Sequence, residues 1–176
     1  MLKTSGVCAA RSERKVAMRI IVLSDTHRAF HQLYTIVLKH KEDAGLFLHL
    51  GDGERELEDL LAVFPDLPLY SVRGNCDGST LAPAMRIVEA GGKKILMAHG
   101  HLLSVRSGTA KLESLARENG CAIALYGHTH IADNRYLDGL YVMNPGSPSC
   151  PREGRPSYGI IDLLPDGGIF PFLVEL

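Results

Sequence analysis

Apolar residues recur with two periods along this chain, and the two alternate. Residues 19–24 (RIIVLS) form a compact β-branched run closed by Asp25, which predicts a strand buried on both faces. Over residues 29–41, apolar positions at 30, 33, 34, 37 and 38 have the spacing of an amphipathic helix. Gly45 then separates a second strand, residues 46–50 (LFLHL). Residues 54–63 predict a second helix, with Leu57, Leu60 and Leu61 on one face and acidic residues in the first turn, where they complement the helix dipole. Residues 69–72 predict a third strand. Strand, helix, strand, helix, strand is the pattern of a parallel α/β sheet with right-handed crossovers.

The rhythm then changes. Residues 85–90 and 93–98 flank Gly91-Gly92, a favourable two-residue hairpin turn. Residues 109–119 predict a helix with Leu112, Leu115 and Ala116 apolar and Gly120 just past its end. Residues 122–126 predict another buried strand. Short strands at 135–137, 141–143, 158–163 and 169–174 follow, punctuated by Gly139, Asn144-Pro145-Gly146 and Pro165 to Gly168. No repeat, low-complexity stretch or second boundary interrupts the pattern, so residues 18–176 read as one domain.

Residues 1–17 show no apolar periodicity. Lys3, Arg11, Arg14 and Lys15 are followed by no apolar h-region, which argues against a secretory signal. A disordered extension is expected there, with Met18 a candidate natural start. An organelle transit peptide stays open on composition.

The polar residues that close the strands carry the chemistry. The first strand runs into Asp25-Thr26-His27, the second into Gly51-Asp52-Gly53 and the third into Gly74-Asn75-Cys76-Asp77. The strand after the hairpin runs into His99-Gly100-His101, and the next into Gly127-His128-Thr129-His130. Each block alone is ordinary, since Asp-x-His, Gly-Asp and paired histidines all occur in loops without function. Five strands ending this way is a pattern, because the carboxyl ends of parallel strands share one sheet edge, where ligands bind. Carboxylate oxygens, imidazole nitrogens and one amide oxygen suit divalent first-row metals. The seven donors Asp25, His27, Asp52, Asn75, His99, His128 and His130 exceed what one ion needs and suit two adjacent ions with a bridging carboxylate. Of the other histidines, His31 and His40 are expected on the surface and His49 in the core.

Composition removes several alternatives. Lys plus Arg is 19 against 20 Asp plus Glu, for a net charge of −1, which gives no basic face for nucleic acid. The 4 Cys form no C-x-x-C pair, so a zinc knuckle or thioredoxin-like site is not expected. The apolar runs are too short to span a bilayer, and a cytoplasmic location is expected. Oligomeric state is open.

The combined blocks D-x-H, G-D, G-N-x-D, H-G-H and G-H-T-H resemble the metallophosphoesterase (calcineurin-like phosphoesterase) superfamily, closest to its small bacterial and archaeal phosphodiesterase branch. Asn144-Pro145-Gly146-Ser147 is similar to a loop of that branch. The resemblance implies a four-layer αββα sandwich of two mixed sheets flanked by helices. It implies that Asp25, His27 and His130 hold one ion, that Asn75, His99 and His128 hold the other, and that Asp52 bridges them. Asp52, Asn75 and His99 then stand at the reaction centre, and the expected reaction is hydrolysis of a small phosphoester by attack of a metal-bridging hydroxide.

Manganese is the first expectation for the two divalent ions, with iron, zinc or nickel as alternatives. Cys76 stands where many members of the superfamily carry His, which leaves the leaving group's proton donor open. A bland buried thiol is the expectation for Cys76 rather than a nucleophile. Cys76, His101 and Arg28 are candidate substrate contacts, and the loops at 78–83 and 104–108 are the expected pocket rim. Two other functions stay open: a retromer-type interaction scaffold and a phosphomonoesterase. All seven ligand positions carry metal-competent residues, which favours catalysis.

Overall fold

A computed structural model describes residues 15–78 and 81–176. Residues 1–14, which hold most of the expected N-terminal extension, and residues 79–80 of the expected rim loop lie outside the described residues.

The elements in chain order are β1 (Met18–Leu23), α1 (Phe30–His40), β2 (Leu46–His49), α2 (Glu54–Val63), β3 (Leu69–Ser71), β4 (Met85–Ala90), β5 (Lys93–Ala98), α3 (Ala110–Glu118), β6 (Ile123–Leu125), β7 (Asp133–Leu137), β8 (Leu140–Asn144), β9 (Ser157–Leu163) and β10 (Ile169–Glu175). Two short 3-10 turns, His101–Leu103 and Val105–Ser107, precede α3 and were not predicted from the sequence.

The strands form two five-stranded sheets, ordered β10-β9-β1-β2-β3 and β4-β5-β6-β8-β7. In the first, β1, β2 and β3 are parallel, and β9 is antiparallel to both of its neighbours, β1 and β10. In the second, β5, β6 and β8 are parallel and the edges β4 and β7 are antiparallel.

The two-residue period of a strand builds the layers. Ile20 and Val22 of β1 face the second sheet, packing in one cluster with Leu48, Ile95, Met97, Ile123, Leu125 and Met143. Ile21 and Leu23 point the other way, onto Leu33, Ile36 and Val37 of α1 and Leu57 and Leu60 of α2. Leu96, Ala98 and Ala124 of the second sheet pack likewise on Leu112 and Ala116 of α3. Helix, sheet, sheet, helix is the αββα sandwich, and burial on both faces is why the central strands read as unbroken apolar runs. The β4–β5 turn has φ +53° at Gly91 and +72° at Gly92, the left-handed pair of a type I′ hairpin. Among the described residues no helix is long and apolar enough to cross a membrane.

One expectation fails here. His31 is exposed as expected, but His40 is buried. It sits in the last turn of α1, where β9 packs on the helix, and its Nε2 lies 2.9 Å from the Tyr158 hydroxyl. Its Nδ1 is buried without a hydrogen bond, 3.4 Å from Asp43 Oδ1. Burial lowers its pKa, against the raising charge of Asp43. The unfolded chain therefore binds more protons than the folded one below the ordinary histidine value of 6.5, and stability falls as pH drops through that range. Thermal melts of chelator-treated protein between about pH 8 and pH 5 should show this loss, and His40→Gln should flatten it.

Candidate metal centre

The expected donors meet at one end of the sandwich, but not along one sheet edge. Asp25, Asp52 and Asn75 follow β1, β2 and β3 of the first sheet, whereas His99 and His128 follow β5 and β6 of the second. The backbone turns sharply at each block. Of the eight non-glycine residues with positive φ among the described residues, six are Asp25, His27, Arg28, Asp52, His128 and His130. Asp and His are among the residues that tolerate this region, and its concentration here marks strain stored at a site.

The glycines beside the donors answer to close approach as much as to turning. A Cβ on Gly74 would lie 2.0 Å from Asp52 Oδ1, and one on Gly127 would lie 1.9 Å from Ser24 Oγ.

Four of the donors, Asp25, Asp52, His99 and His130, are aimed by hydrogen bonds behind them. The Ser24 hydroxyl donates to Asp25 Oδ2 at 2.6 Å and the His128 N–H at 3.0 Å, while Asp25 Oδ1 is buried with no hydrogen bond. The Cys76 N–H donates to Asp52 Oδ1 at 2.7 Å, which leaves Oδ2 facing His99 Nε2 at 3.5 Å and His27 Nε2 at 3.7 Å. His99 Nδ1–H donates to the Leu50 carbonyl, and His130 Nδ1–H to the Cys150 carbonyl, each at 2.8 Å. A ring that donates through Nδ1 presents a bare Nε2 when neutral.

Those bare nitrogens face other acceptors. His130 Nε2 lies 3.1 Å from His27 Nε2 and 3.2 Å from Asp25 Oδ1, and His99 Nε2 lies 3.1 Å from Asn75 Oδ1. Lone pairs confronting lone pairs, beside an orphaned buried carboxylate oxygen, fit divalent cations. Among the described residues, three groups are close enough to hold an ion: Asp25, His27 and His130; Asp25, Asp52 and His99; and His27, Asp52 and Cys76. Asp25, His27 and Asp52 each belong to two of them, so the groups share ligands. The His128 ring packs edge-on against His99, with centroids 5.1 Å apart, and belongs to none of the three.

The shifts of Asp25 and His128 favour the metal-binding protonation state at neutral pH. Burial works to raise the Asp25 carboxyl, but the neighbouring His130 ring, the His99 charge and the Ser24 hydrogen bond together hold it below the usual carboxylate range. The nearby Asp25 carboxylate raises His130. Burial and then the charges of His99 and Arg106 push His128 down to about 4. His49 is buried as expected and is likewise pushed down to about 4 by burial. It accepts the Gly51 N–H at Nδ1 (3.2 Å) and bonds Thr26 Oγ1 at Nε2 (3.1 Å), tying the first block to the second.

Cys76 is exposed, which corrects the expectation of a buried thiol. Its loop projects from the end of β3 into a cavity of about 370 Å³ that it lines with His27, Arg28, Asp52, Glu54 and Glu56. Partial burial, then the Asp52 hydrogen bond and nearby carboxylates, push the thiol up to about 11, so it is no nucleophile at neutral pH. Arg28 is exposed on the wall of this cavity, with its backbone N–H on Glu56 Oε1 at 2.6 Å. His101 is half-buried, its ring 5.3 Å from that of His99 and its Nδ1 without a partner.

The sequence reading gave no role to Asp77. Its Oδ2 accepts the N–H groups of Asp52 (2.8 Å) and Gly74 (2.7 Å), and its Oδ1 those of Gly53 (2.9 Å) and Glu54 (3.0 Å). It thereby caps α2 from another loop and locks two metal-bearing turns together. Ser147 and Asn144 were also passed over. The Ser147 hydroxyl donates to the Asp25 carbonyl at 2.7 Å, and the Asn144 amide to the Gly127 carbonyl at 3.1 Å. An Asp two residues after the Asn of the third block was the one local signal for Asp77.

Two mixed sheets with a His/Asp cluster at the strand ends narrow the choice of family, and a sequence comparison decides it. The calcineurin-like phosphoesterase superfamily domain matches residues 18–165. The chain belongs to that superfamily. Among relatives, the probable metallophosphoesterase YsnB of Bacillus subtilis is 34% identical over 157 residues, covering 88% of this chain and 90% of that one. The phosphodiesterase YfcE of Escherichia coli K12 is 31% identical over 104 residues, 53% of this chain and 52% of that one. Among solved structures, a predicted phosphoesterase from Streptococcus pneumoniae superposes with a TM-score of 0.74 at 26% identity, covering 89% of this chain and 98% of that one. Membership of this superfamily and a clustered His/Asp centre able to hold two divalent ions make the chain a metal-dependent phosphoesterase.

Proposed function

We propose that the chain hydrolyses phosphodiesters. The observation that carries this is the charge of the cavity wall beside the cluster. Asp52, Glu54, Glu56 and Asp77 line it, with Arg28 and Arg55 its Lys or Arg residues among the described residues. A dianionic monoester meets one more unit of repulsion there than a monoanionic diester. The relative named as a phosphodiesterase supports the same reading.

In this reading Asp25, His27 and His130 hold one ion, Asn75, His99 and His128 the other, and Asp52 spans both; manganese is the first choice of metal. Such a pair, when bound, supplies Lewis acidity at the phosphate oxygens and an activated water for in-line attack. The chain supplies the alignment. Leu50 and Cys150 carbonyls fix the tautomers of His99 and His130, so their Nε2 atoms stay available without reorganisation. Arg28, free at its guanidinium on the cavity wall, pairs with a non-bridging phosphate oxygen. His101, beside His99 with an unpartnered ring nitrogen, takes a second one. Cys76 forms no phosphorylated intermediate, which leaves a single displacement.

The test is hydrolysis of bis(p-nitrophenyl) phosphate against p-nitrophenyl phosphate with added manganese. The diester should have the higher kcat/KM by about tenfold or more, from one unit of charge at an effective dielectric of roughly 20. Preference for the monoester would overturn the diesterase reading, and no hydrolysis of either with any divalent metal would favour the scaffold.

A further inference from the structure

We propose that Cys76 is a metal ligand, and that His27, Asp52 and Cys76 form a sulfur-bearing position for a thiophilic divalent ion such as zinc. The proposal rests on the dinuclear centre described above and adds to it an atom type that the seven expected ligands lack.

The donor atoms of His27, Asp52 and Cys76 all lie within 4.8 Å of one another. The sulfur is held rather than loose. The Cys76 N–H is fixed on Asp52 Oδ1 at 2.7 Å, and the Asn75 amide donates to Sγ at 3.2 Å, a bond that favours negative charge on sulfur. The three side chains line the same open cavity, so an ion reaches them from solvent. A second observation points the same way. Asp25 Oδ1, fully buried and without a hydrogen bond, lies 3.9 Å from His27 Nε2 and adds negative charge beside the group.

The overlap with the other two groups sets the consequence. An ion here shares His27 with the Asp25/His27/His130 group and Asp52 with the Asp25/Asp52/His99 group. Thiolate ligation selects zinc or cadmium over manganese. A thiophilic ion therefore draws ligands from both expected positions and sits at the cavity, so excess zinc displaces the manganese form. On binding, the S–H bond breaks, its proton passes to solvent and a sulfur–metal bond forms, with no change of oxidation state.

Cobalt(II) titration of the full chain tests this by absorption. Visible d–d bands report that cobalt binds at all, and a near-ultraviolet thiolate-to-cobalt charge-transfer band reports sulfur ligation. Both are expected in the native protein, and Cys76→Ser should keep the d–d bands and lose the charge-transfer band. A second arm needs no variant. Iodoacetamide modification of Cys76, followed by mass spectrometry, should be slowed about tenfold or more by zinc and restored by chelator, as a metal-held sulfur lone pair requires. Cys150, exposed and outside the three groups, should keep its rate. Cobalt d–d bands without charge transfer, a charge-transfer band that survives Cys76→Ser, or no protection by zinc would overturn the proposal while leaving the dinuclear centre standing. Absence of every cobalt band would overturn both.

Discussion

Replacing Asp52 by Asn is expected to lower kcat/KM for bis(p-nitrophenyl) phosphate by about a thousandfold or more, since metal Lewis acidity is worth several kcal/mol and each 1.36 kcal/mol is tenfold. The substitution keeps size and shape. Asn retains an oxygen for the Cys76 N–H now bound at 2.7 Å, so the loop stays in place. What is lost is the charged Oδ2 that faces His99 at 3.5 Å and His27 at 3.7 Å, in a residue that belongs to two of the three ligand groups. Metal content measured by atomic emission should fall together with activity. The melting temperature of the metal-free protein should hold or rise, because Asp25 and Asp52 repel each other in the same buried cluster. Activity within tenfold of the native enzyme would remove Asp52 from the centre.

Asp77→Ala is expected to act through architecture instead. One carboxylate satisfies four backbone N–H groups, on Asp52, Gly53, Glu54 and Gly74. Hydrogen bonds to a charged acceptor are worth roughly 1.5–3 kcal/mol each when buried, and partial hydration of the freed groups leaves a net loss of about 2–4 kcal/mol. In a chain of this size that is a drop of about 5–12 °C in melting temperature. Metal affinity should weaken by about 10–100-fold, as for loss of an outer-shell partner.

The pH dependence identifies the carboxylate. Burial would raise Asp77, but the four N–H bonds outweigh it and hold its pKa below 3.8. Its contribution is therefore complete above that value and is lost as pH falls through the lower folded one. The native and variant melting curves should converge in acid, and a constant gap down to the lowest pH would argue against the carboxylate's role.

How far such residues could be read in advance depends on whether their signal is local. Strand β1 announces itself because Ile20, Ile21, Val22 and Leu23 are buried on both faces and leave an apolar run in consecutive positions. Helix α2 was legible from Leu57 and Leu60 and its acidic first turn, and the structure begins and ends it at Glu54 and Val63 as the spacing predicts. Asp77 had no comparable signature, since three of its four partners lie on a loop and a helix start more than twenty residues away. His40 misled for a similar reason. Its place on α1 suggested solvent, but Tyr158, 118 residues on, covers it.

The sequence by itself determined the elements, the polar blocks that end the strands and, through their combination, the superfamily. These follow from periodicity and turn chemistry within short windows, where neighbouring residues set the outcome. Only the tertiary structure decided that the donors come from two facing sheets, that Asp25 Oδ1 is left without a partner and that the Cys76 sulfur stands exposed beside His27 and Asp52. Those facts depend on how far apart the packed sheets lie and on which loops their strand ends bring into register, which are set by core contacts between residues remote in the chain.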